Sequence, residues 1–193
     1  MQHLLTPYSR NREPFAWWDG AFTEEQLDWL QQKAREANQQ AKVGGGDEPQ
    51  VIESVRRSEL NWLSKNAECA WVFEILSNVV SSINAEYFGF DLTGFGEDIQ
   101  LTNYQESRQG TYKWHQDFTS GISRKLSMVL QLSDPKDYEG GELQILTTGQ
   151  PITIKKKRGL VTIFPTWTLH QVTPVIKGTR QTLVTWVSGP HFK

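Results

Sequence analysis

The feature that most constrains the fold is a change of pattern at Glu97. From there onward, short apolar runs are separated by turn-forming residues, which is typical of an antiparallel β-sandwich or barrel. The predicted strands cover residues 99–104, 111–117, 126–133, 142–146, 151–154, 160–164, 170–175 and 181–188. About eight strands of this kind favour a double-sheet jelly roll.

The region before Glu97 has helical periodicity instead. Thr23 precedes two acidic residues, as an N-cap residue would, and Leu27, Leu30 and Ala34 then recur at helical spacing. The first helix is therefore expected to run to about Gln40.

A second amphipathic helix is predicted over residues 71–83, ending before Gly89. Between the helices, the glycine-rich segment 43–49 is predicted to be a loop and residues 51–56 a short strand. The sequence thus predicts a single α+β domain. Residues 1–96 would supply mainly helical support and substrate loops, and residues 97–193 the jelly-roll catalytic core.

Charge and aromatic content limit the classes of partner. The chain of 193 residues contains eight Trp, nine Phe and five Tyr, which supply the area for one hydrophobic core. Its formal net charge of -2 gives no overall electrostatic signature of nucleic-acid binding. The basic run from Lys155 to Arg158 could contact nucleic acid, but four basic residues between two strands are more often a solvated turn.

Cysteine content and hydropathy bear on location and metal chemistry. The single cysteine, Cys69, cannot form an internal disulfide or a thiolate metal site, so any metal must be bound by histidines and carboxylates. The start of the chain lacks the pattern of a signal peptide, and no stretch approaches the ~18 apolar residues of a membrane span. We therefore expect a cytoplasmic monomer that is not inserted in a membrane.

Two histidines and an aspartate have the spacing of a metal site. His115 and Asp117 are two residues apart in a predicted strand, so their side chains would project to one face, and His170 lies in a later strand. A His-x-Asp tripeptide alone is a weak signal, because it often occurs by chance. Together, two histidines and one carboxylate suit a non-haem Fe(II) centre with open positions for a bidentate co-substrate and O2.

Arg180 strengthens this interpretation, because a guanidinium can bind the distal carboxylate of a metal-bound 2-oxo acid in a bidentate manner. Lys177-Gly178 predicts a hairpin that returns Arg180 alongside His170. An odd-length loop would place Arg180, Thr182, Val184 and Trp186 on the face of His170, whereas a two-residue turn would place them on the opposite face.

Residues 104–188 resemble the prolyl 4-hydroxylase-like branch of the Fe(II)/2-oxoglutarate dioxygenases, especially the PKHD-type hydroxylases. Three segments carry the resemblance in order: 110–117, which ends in His-Gln-Asp; 132–143, a strand followed by an acidic Gly-Gly turn; and 159–186, which contains His170 and Arg180. The resemblance implies a double-stranded β-helix fold and the cofactor Fe(II). It also implies 2-oxoglutarate and O2 as co-substrates, and ascorbate as a reductant.

The resemblance also implies roles for individual residues. His115, Asp117 and His170 would bind iron, and Arg180 would bind the C5 carboxylate of 2-oxoglutarate. The residues expected beside the co-substrate are Tyr104, Gln131, Thr182 and Trp186. Those expected at the substrate are Tyr112, Arg57 and Trp62. Gln131 departs from the family, because several members have there a Tyr that reaches the co-substrate carboxylate.

The resemblance implies hydroxylation of a prolyl residue in a peptide or protein, but related enzymes oxidise small molecules or alkylated nucleobases, and the sequence does not choose among these. Two other classes of protein fit parts of the pattern. A zinc hydrolase could use the same three ligands, although no Glu is suitably spaced to act as its general base. A non-catalytic jelly-roll binding module could keep the fold, but would not require both the triad and Arg180.

Overall fold

The computed structural model describes residues 13–44, 49–118 and 123–191. In chain order, the strands are β1 (Ala16–Trp18), β2 (Gln39–Gln40), β3 (Arg56–Arg57), β4 (Glu59–Leu63), β5 (Ile99–Gln105), β6 (Thr111–His115), β7 (Arg124–Gln131), β8 (Tyr138–Gly140), β9 (Leu143–Leu146), β10 (Ile152–Thr153), β11 (Val161–Pro165), β12 (Leu169–Val172) and β13 (Val175–Ser188). The α-helices are α1 (Glu24–Arg35) and α2 (Ala70–Ile83). A π-helical turn (Asn84–Phe88) continues α2, and two 3-10 turns cover Glu106–Arg108 and Pro135–Asp137.

The strands form two antiparallel sheets, as expected for a double-stranded β-helix. The larger sheet has the order β1-β11-β7-β13-β5-β4-β2, with β8 added to one end of β13. The smaller sheet has the order β10-β9-β12-β6-β3. The predicted α+β jelly roll is confirmed, and short strands from the N-terminal half extend both sheets.

The main hydrophobic core lies between the two helices and the larger sheet. It is built from buried residues of α1, α2, β5, β7, β11 and β13. Along β13, Leu183 and Val187 belong to this core, whereas the alternate residues Thr182, Val184 and Trp186 line a cavity on the other face of the sheet. This period of two separates the residues that stabilise the fold from those available for binding.

Helix α1 begins as predicted but ends earlier. The side chain of Thr23 accepts a hydrogen bond from the Gln26 backbone amide, and the Gln26 side-chain oxygen accepts one from the Thr23 backbone amide, which forms a capping box. The expected extension to Gln40 is wrong. The Asn61 side chain donates to the Lys33 carbonyl (2.9 Å) and Asn103 donates to the Ala34 carbonyl, so side chains from distant strands satisfy the last carbonyls of the helix.

Helix α2 agrees with its predicted range, and Gly89 ends the π-helical turn that follows in a left-handed conformation (φ 66°). The predicted strand over residues 51–56 is largely wrong. The amides of Val55 and Arg56 both donate to the Ile52 carbonyl at 2.9 Å, which forms a tight turn, and pairing begins only at β3. Within the described residues, no helix is long and apolar enough to cross a lipid bilayer.

The predicted hairpin at Lys177-Gly178 is also wrong. Both residues lie inside β13, where they pair with Glu139 and Tyr138 of β8. The chain instead changes sheets between β12 and β13, at Thr173-Pro174. Gly178 is required for another reason: it has φ 73°, and an added Cβ would lie 2.0 Å from the Asp137 carbonyl oxygen.

Two further expectations concern the loop 43–49 and the first residues of the chain. The predicted loop 43–49 is closed by two hydrogen bonds between Val43 and Gln50, and residues 45–48 lie outside the described part of the chain. Cys69 is fully buried at the start of α2. The expectations for the first residues of the chain also lie outside the described ranges.

The capping box at Thr23 provides a test of the fold. We expect Thr23→Ala to lower the free energy of unfolding by about 1 kcal/mol, because the Gln26 amide in the first turn of α1 would lose its hydrogen-bond partner. Thermal unfolding followed by circular dichroism should show a melting temperature lower by roughly 2–4 °C. Thr148→Ala, at an exposed threonine, is the control. Equal melting temperatures for the two variants would contradict the proposed cap.

Candidate active site

The three residues predicted to bind metal lie together in the lining of the cavity. His115 ends β6 and is the direct cross-strand partner of His170 on β12. Asp117 lies just beyond β6, where its backbone amide donates to the Thr166 carbonyl. The Asp117 carboxylate oxygens lie 3.7 Å from Nε2 of His115 and 3.6 Å from Nε2 of His170. The ligand atoms of all three residues are within 4.8 Å of one another.

The surrounding hydrogen bonds prepare these side chains for a metal. Nδ1 of His115 contacts the Lys113 carbonyl at 2.7 Å, and Nδ1 of His170 contacts the Thr168 carbonyl at 2.9 Å. Because a carbonyl only accepts, each Nδ1 must carry the proton, which leaves the Nε2 lone pair free to bind a metal. The Ser127 hydroxyl donates to Asp117 at 2.7 Å and fixes the carboxylate.

The electrostatics of the site favour the ligand forms of these groups. Burial, and then the neighbouring His170, lower the pKa of His115 to about 3, so this imidazole is neutral near pH 7. Burial alone would raise the pKa of Asp117, but the two histidines and the Ser127 hydrogen bond outweigh it and leave the pKa lowered. Two imidazoles and one carboxylate form a donor set that fits Fe(II).

Arg180 lies in the same cavity and is 2% exposed. Its guanidinium carbon lies 5.4 Å from the ring centroid of Tyr104, its cross-strand partner on β5. No carboxylate of the described residues forms an ion pair with it. Since a buried charge is costly without a counter-ion, this arginine is suited to an anionic ligand. The nearby Thr182 hydroxyl is buried and has no hydrogen-bond partner among the described residues.

Residues 99–188 match the sequence model of the 2OG-Fe(II) oxygenase superfamily. This segment contains the triad and Arg180. Residues 99–188 belong to that superfamily. The resemblance inferred from the sequence is thereby confirmed.

Individual relatives agree with this assignment of the oxygenase segment. The chain is 41% identical over 87 residues to a PKHD-type hydroxylase of Prochlorococcus marinus, a match that covers 44% of this chain and 39% of that relative. The chain thus spans about two fifths of the length of that relative.

Solved structures show the same fold over most of the chain. A prolyl-4-hydroxylase of Pseudomonas putida has a TM-score of 0.72 and 18% identity, with 92% of this chain and 94% of that one covered. A prolyl hydroxylase of Trichoplax adhaerens, in complex with a hypoxia inducible factor peptide fragment, has a TM-score of 0.77 and 14% identity, with 91% and 84% covered.

The remaining predicted site residues fall into two groups, those that line the cavity and those that do not. Those that line the cavity, which has a volume of about 970 Å³, are Tyr104, Tyr112, Thr182, Trp186 and Trp62. Gln131 and Arg57 do not line it. Gln131 donates to the Tyr138 hydroxyl at 3.0 Å, in a small adjoining pocket that Arg180 also lines. The Arg57 guanidinium donates to the Gln109 carbonyl.

Two arginines of the cavity were missed in the sequence. Arg124 packs on Trp186, with its guanidinium carbon 3.8 Å from the ring, and donates to the Asp117 carbonyl and to Glu97. It therefore supports both the metal site and the cavity wall. Arg56, and not its neighbour Arg57, faces the cavity from β3. Arg124 could have been noticed as a charged residue opening an apolar strand, whereas the choice between Arg56 and Arg57 depends on strand register.

Proposed function

We propose that the protein is an Fe(II)- and 2-oxoglutarate-dependent dioxygenase that hydroxylates a C–H bond. The observation that carries the proposal is the placement of two kinds of site in one cavity. One is a facial set of two free Nε2 atoms and a carboxylate, and the other is a buried arginine without an acidic partner. A non-catalytic module would need neither.

In this proposal His115, Asp117 and His170 hold the iron, and Arg180 and the unpaired hydroxyl of Thr182 hold the distal carboxylate of 2-oxoglutarate. When bound, iron and 2-oxoglutarate supply the oxidising chemistry, in which O2 is consumed, succinate and CO2 are released and the substrate gains a hydroxyl group. Ascorbate would serve as reductant. The protein itself needs no general acid or base for this reaction.

The other contributions of the chain are orientation and exclusion of water. Tyr112 stacks on the His115 ring with 3.4 Å between centroids. Burial raises the pKa of Tyr112 to about 12, so its phenol remains neutral and can donate a hydrogen bond. Val129, Leu143 and Val184 line the cavity with apolar surface. A dry, partly aromatic wall strengthens the charged contacts of the ligands and limits side reactions.

The proposal also assigns different roles to the two halves of the chain. Residues 97–193 would form the catalytic core, since the triad and Arg180 all lie there. Residues 1–96 would support the larger sheet through α1 and α2 and contribute substrate loops. Val55, Arg56 and Trp62 of this half line the cavity. The active unit would be a single domain that acts as a monomer.

The hydrolase alternative is disfavoured by the acidic residues of the cavity. Among the described residues that line it, only Glu97 and Asp117 carry carboxylates. Glu97 accepts two hydrogen bonds from Arg124 and is therefore not free to act as a general base.

An alkylated nucleobase in nucleic acid is also disfavoured as the substrate. The basic run that could contact nucleic acid already forms ion pairs with acidic residues of the chain: Lys156 with Glu142, Lys157 with Asp19, and Arg158 with Asp28.

The proposed substrate is a prolyl residue in a peptide or protein. Support comes from relatives named PKHD-type hydroxylases and from a neighbour of the same fold that holds a peptide. The cavity is also large enough for part of a peptide, and two exposed aromatic residues, Trp62 and Phe118, line it. Trp17 and Trp18, two other exposed tryptophans, lie on β1 and do not line the cavity.

Mass spectrometry should test the substrate class. We expect proline-containing members of a peptide library, or proteins of a cell extract, to gain one oxygen atom after incubation with Fe(II), 2-oxoglutarate and ascorbate. The gain should lie on proline, and it should be absent with the Asp117→Ala protein. Oxygen gained only by small metabolites or nucleobases would overturn the prolyl assignment and favour the alternative substrates.

A further inference from the structure

Arg56 is a second buried arginine in the cavity, and neither the triad nor Arg180 accounts for it. It lies on β3, which pairs with β6, and is 7% exposed. Its Nε donates to the Ser58 hydroxyl at 2.9 Å. Its guanidinium carbon lies 4.6 Å from the ring centroid of Tyr112. These contacts fix the orientation of the guanidinium.

The charge of Arg56 is not neutralised within the described part of the chain. No described carboxylate lies within ion-pair distance of it, although thirteen basic-acidic pairs, two of them with histidine, are formed elsewhere among the described residues, such as Arg124 with Glu97. The two carboxylates of the cavity are engaged by other groups, Glu97 by Arg124 and Asp117 by the histidines. Stacking on Tyr112 compensates only part of the cost of burying a cation.

Arg56 is linked to the proposed metal site through its contact with Tyr112. The Tyr112 ring contacts both groups, because it stacks on His115 with 3.4 Å between centroids and its centroid lies 4.6 Å from the Arg56 guanidinium carbon. Arg56 is therefore one aromatic ring away from a metal ligand. Arg180 lies on β13 of the larger sheet, whereas Arg56 lies on β3 of the smaller one. The two buried arginines thus approach the cavity from opposite walls.

Charge balance points to the ligand of Arg56. In the proposed function, a divalent iron, the Asp117 carboxylate, the 2-oxoglutarate dianion and Arg180 together carry no net charge. Glu97 and Arg124 neutralise each other. Lys42 also lines the cavity, but it is exposed to solvent. The loaded cavity therefore keeps one buried positive charge, that of Arg56.

We infer that Arg56 binds a carboxylate of the molecule to be hydroxylated, and so selects substrates with a carboxylate close to the oxidised carbon. This inference rests on the proposed function and narrows its substrate class. The carboxylate could be the α-carboxylate of a free amino acid or C-terminal residue, or an acidic side chain next to the target residue in a peptide. Guanidinium and carboxylate are matched in shape, and the pair gains strength in a dry cavity.

The test compares probes that differ only in a carboxylate. The first pair is N-acetyl-L-proline and N-acetyl-L-prolinamide, and the second is the capped tripeptides Ala-Pro-Asp and Ala-Pro-Asn. Dissociation constants are measured by ligand-observed NMR for the full chain loaded with Mn(II) and 2-oxoglutarate under anaerobic conditions. The proteins are wild type, Arg56→Gln, Arg56→Lys and Arg57→Gln, the last being a neighbouring arginine outside the cavity.

We expect wild type to bind at least one carboxylate probe about 10- to 100-fold more tightly than its amide, as is usual for a hydrogen bond between charged groups. The preferred pair tells whether an α-carboxylate or an acidic side chain is recognised. Arg56→Gln should reduce the preference to within about twofold of unity. Arg56→Lys should keep part of it, and Arg57→Gln should behave as wild type.

Other outcomes would overturn the inference. These are equal binding of both members of each pair by wild type, failure of all four probes to bind, and a preference that survives in Arg56→Gln. Loss of 2-oxoglutarate affinity in Arg56→Gln would also overturn it, by assigning Arg56 to the co-substrate. Failure of the proposed function is separate, because it appears as absent 2-oxoglutarate turnover in wild type, whereas probe binding requires no turnover.

Discussion

Replacing His115, Asp117 or His170 with Ala is expected to lower 2-oxoglutarate turnover by more than about 100-fold. Each change removes one of three protein ligands, and loss of a residue that merely supports a ligand typically costs about 10- to 100-fold in metal affinity or activity. Release of CO2 from 2-oxoglutarate labelled at C1, with Fe(II) and ascorbate, measures the effect. The three variants should be equally inactive, because an incomplete facial set cannot hold the ion in its working geometry.

Two further variants serve as controls for the ligand variants. Gln171 is the residue next to His170, but its side chain donates to Gln144 and does not line the cavity. Turnover of Gln171→Ala should therefore remain near that of wild type. Ser127→Ala removes the hydroxyl that fixes Asp117 and should give a smaller loss than Asp117→Ala. Undiminished CO2 release in any one of the three ligand variants would remove that residue from the triad.

The strands of the jelly-roll core could be predicted from the sequence because each has a local signal. Most contain apolar residues at a period of two and are bounded by turn-forming residues. The edge strands β2 and β3 have only two residues each, and their pairing with β4 and β6 depends on segments far away in the sequence. No local pattern carries that information, so these strands were not predicted.

Arg180 lies in the cavity as predicted, but the hairpin that was predicted to place it there does not form. Lys177-Gly178 has the composition of a tight turn, but Gly178 serves the close approach of β8 to β13. The strand therefore continues through it, and Arg180, Thr182 and Trp186 face the cavity because of the register of β13 with β5 and β7. Composition alone cannot distinguish a glycine needed for a turn from one needed for close packing.

The same limit applies to Arg56 and Arg57. Adjacent residues of a strand face opposite sides, so one register places Arg56 in the cavity and a shift of one residue would place Arg57 there. The register is set by the pairing of Arg56 with Tyr112 and of Arg57 with Thr111. The sequence could identify the pair of arginines as candidates, but only the assembled sheet selects between them.

Arg180→Ala is expected to weaken 2-oxoglutarate binding by roughly thirty- to several-thousand-fold, which corresponds to the ~2–5 kcal/mol typical for truncation of a buried, hydrogen-bonded charge pair. The loss would be large because Arg180 is 2% exposed, so water cannot readily replace the guanidinium beside the carboxylate. Affinity for the metal should change little, since Arg180 is not one of the three ligands. Titration calorimetry with Mn(II) in place of iron, under anaerobic conditions, separates the two affinities.

Arg180→Lys and Lys177→Ala make the test specific. Arg180→Lys should recover only part of the lost affinity, because lysine keeps the charge but not the planar, two-pronged geometry. Lys177→Ala removes an exposed positive charge from the same strand, and 2-oxoglutarate should bind this variant as it binds wild type. If Arg180→Ala also binds 2-oxoglutarate as tightly as wild type, the carboxylate anchor lies elsewhere. Lys125 and Lys177 do not line the cavity, so Arg56 would then be the residue to test as the anchor.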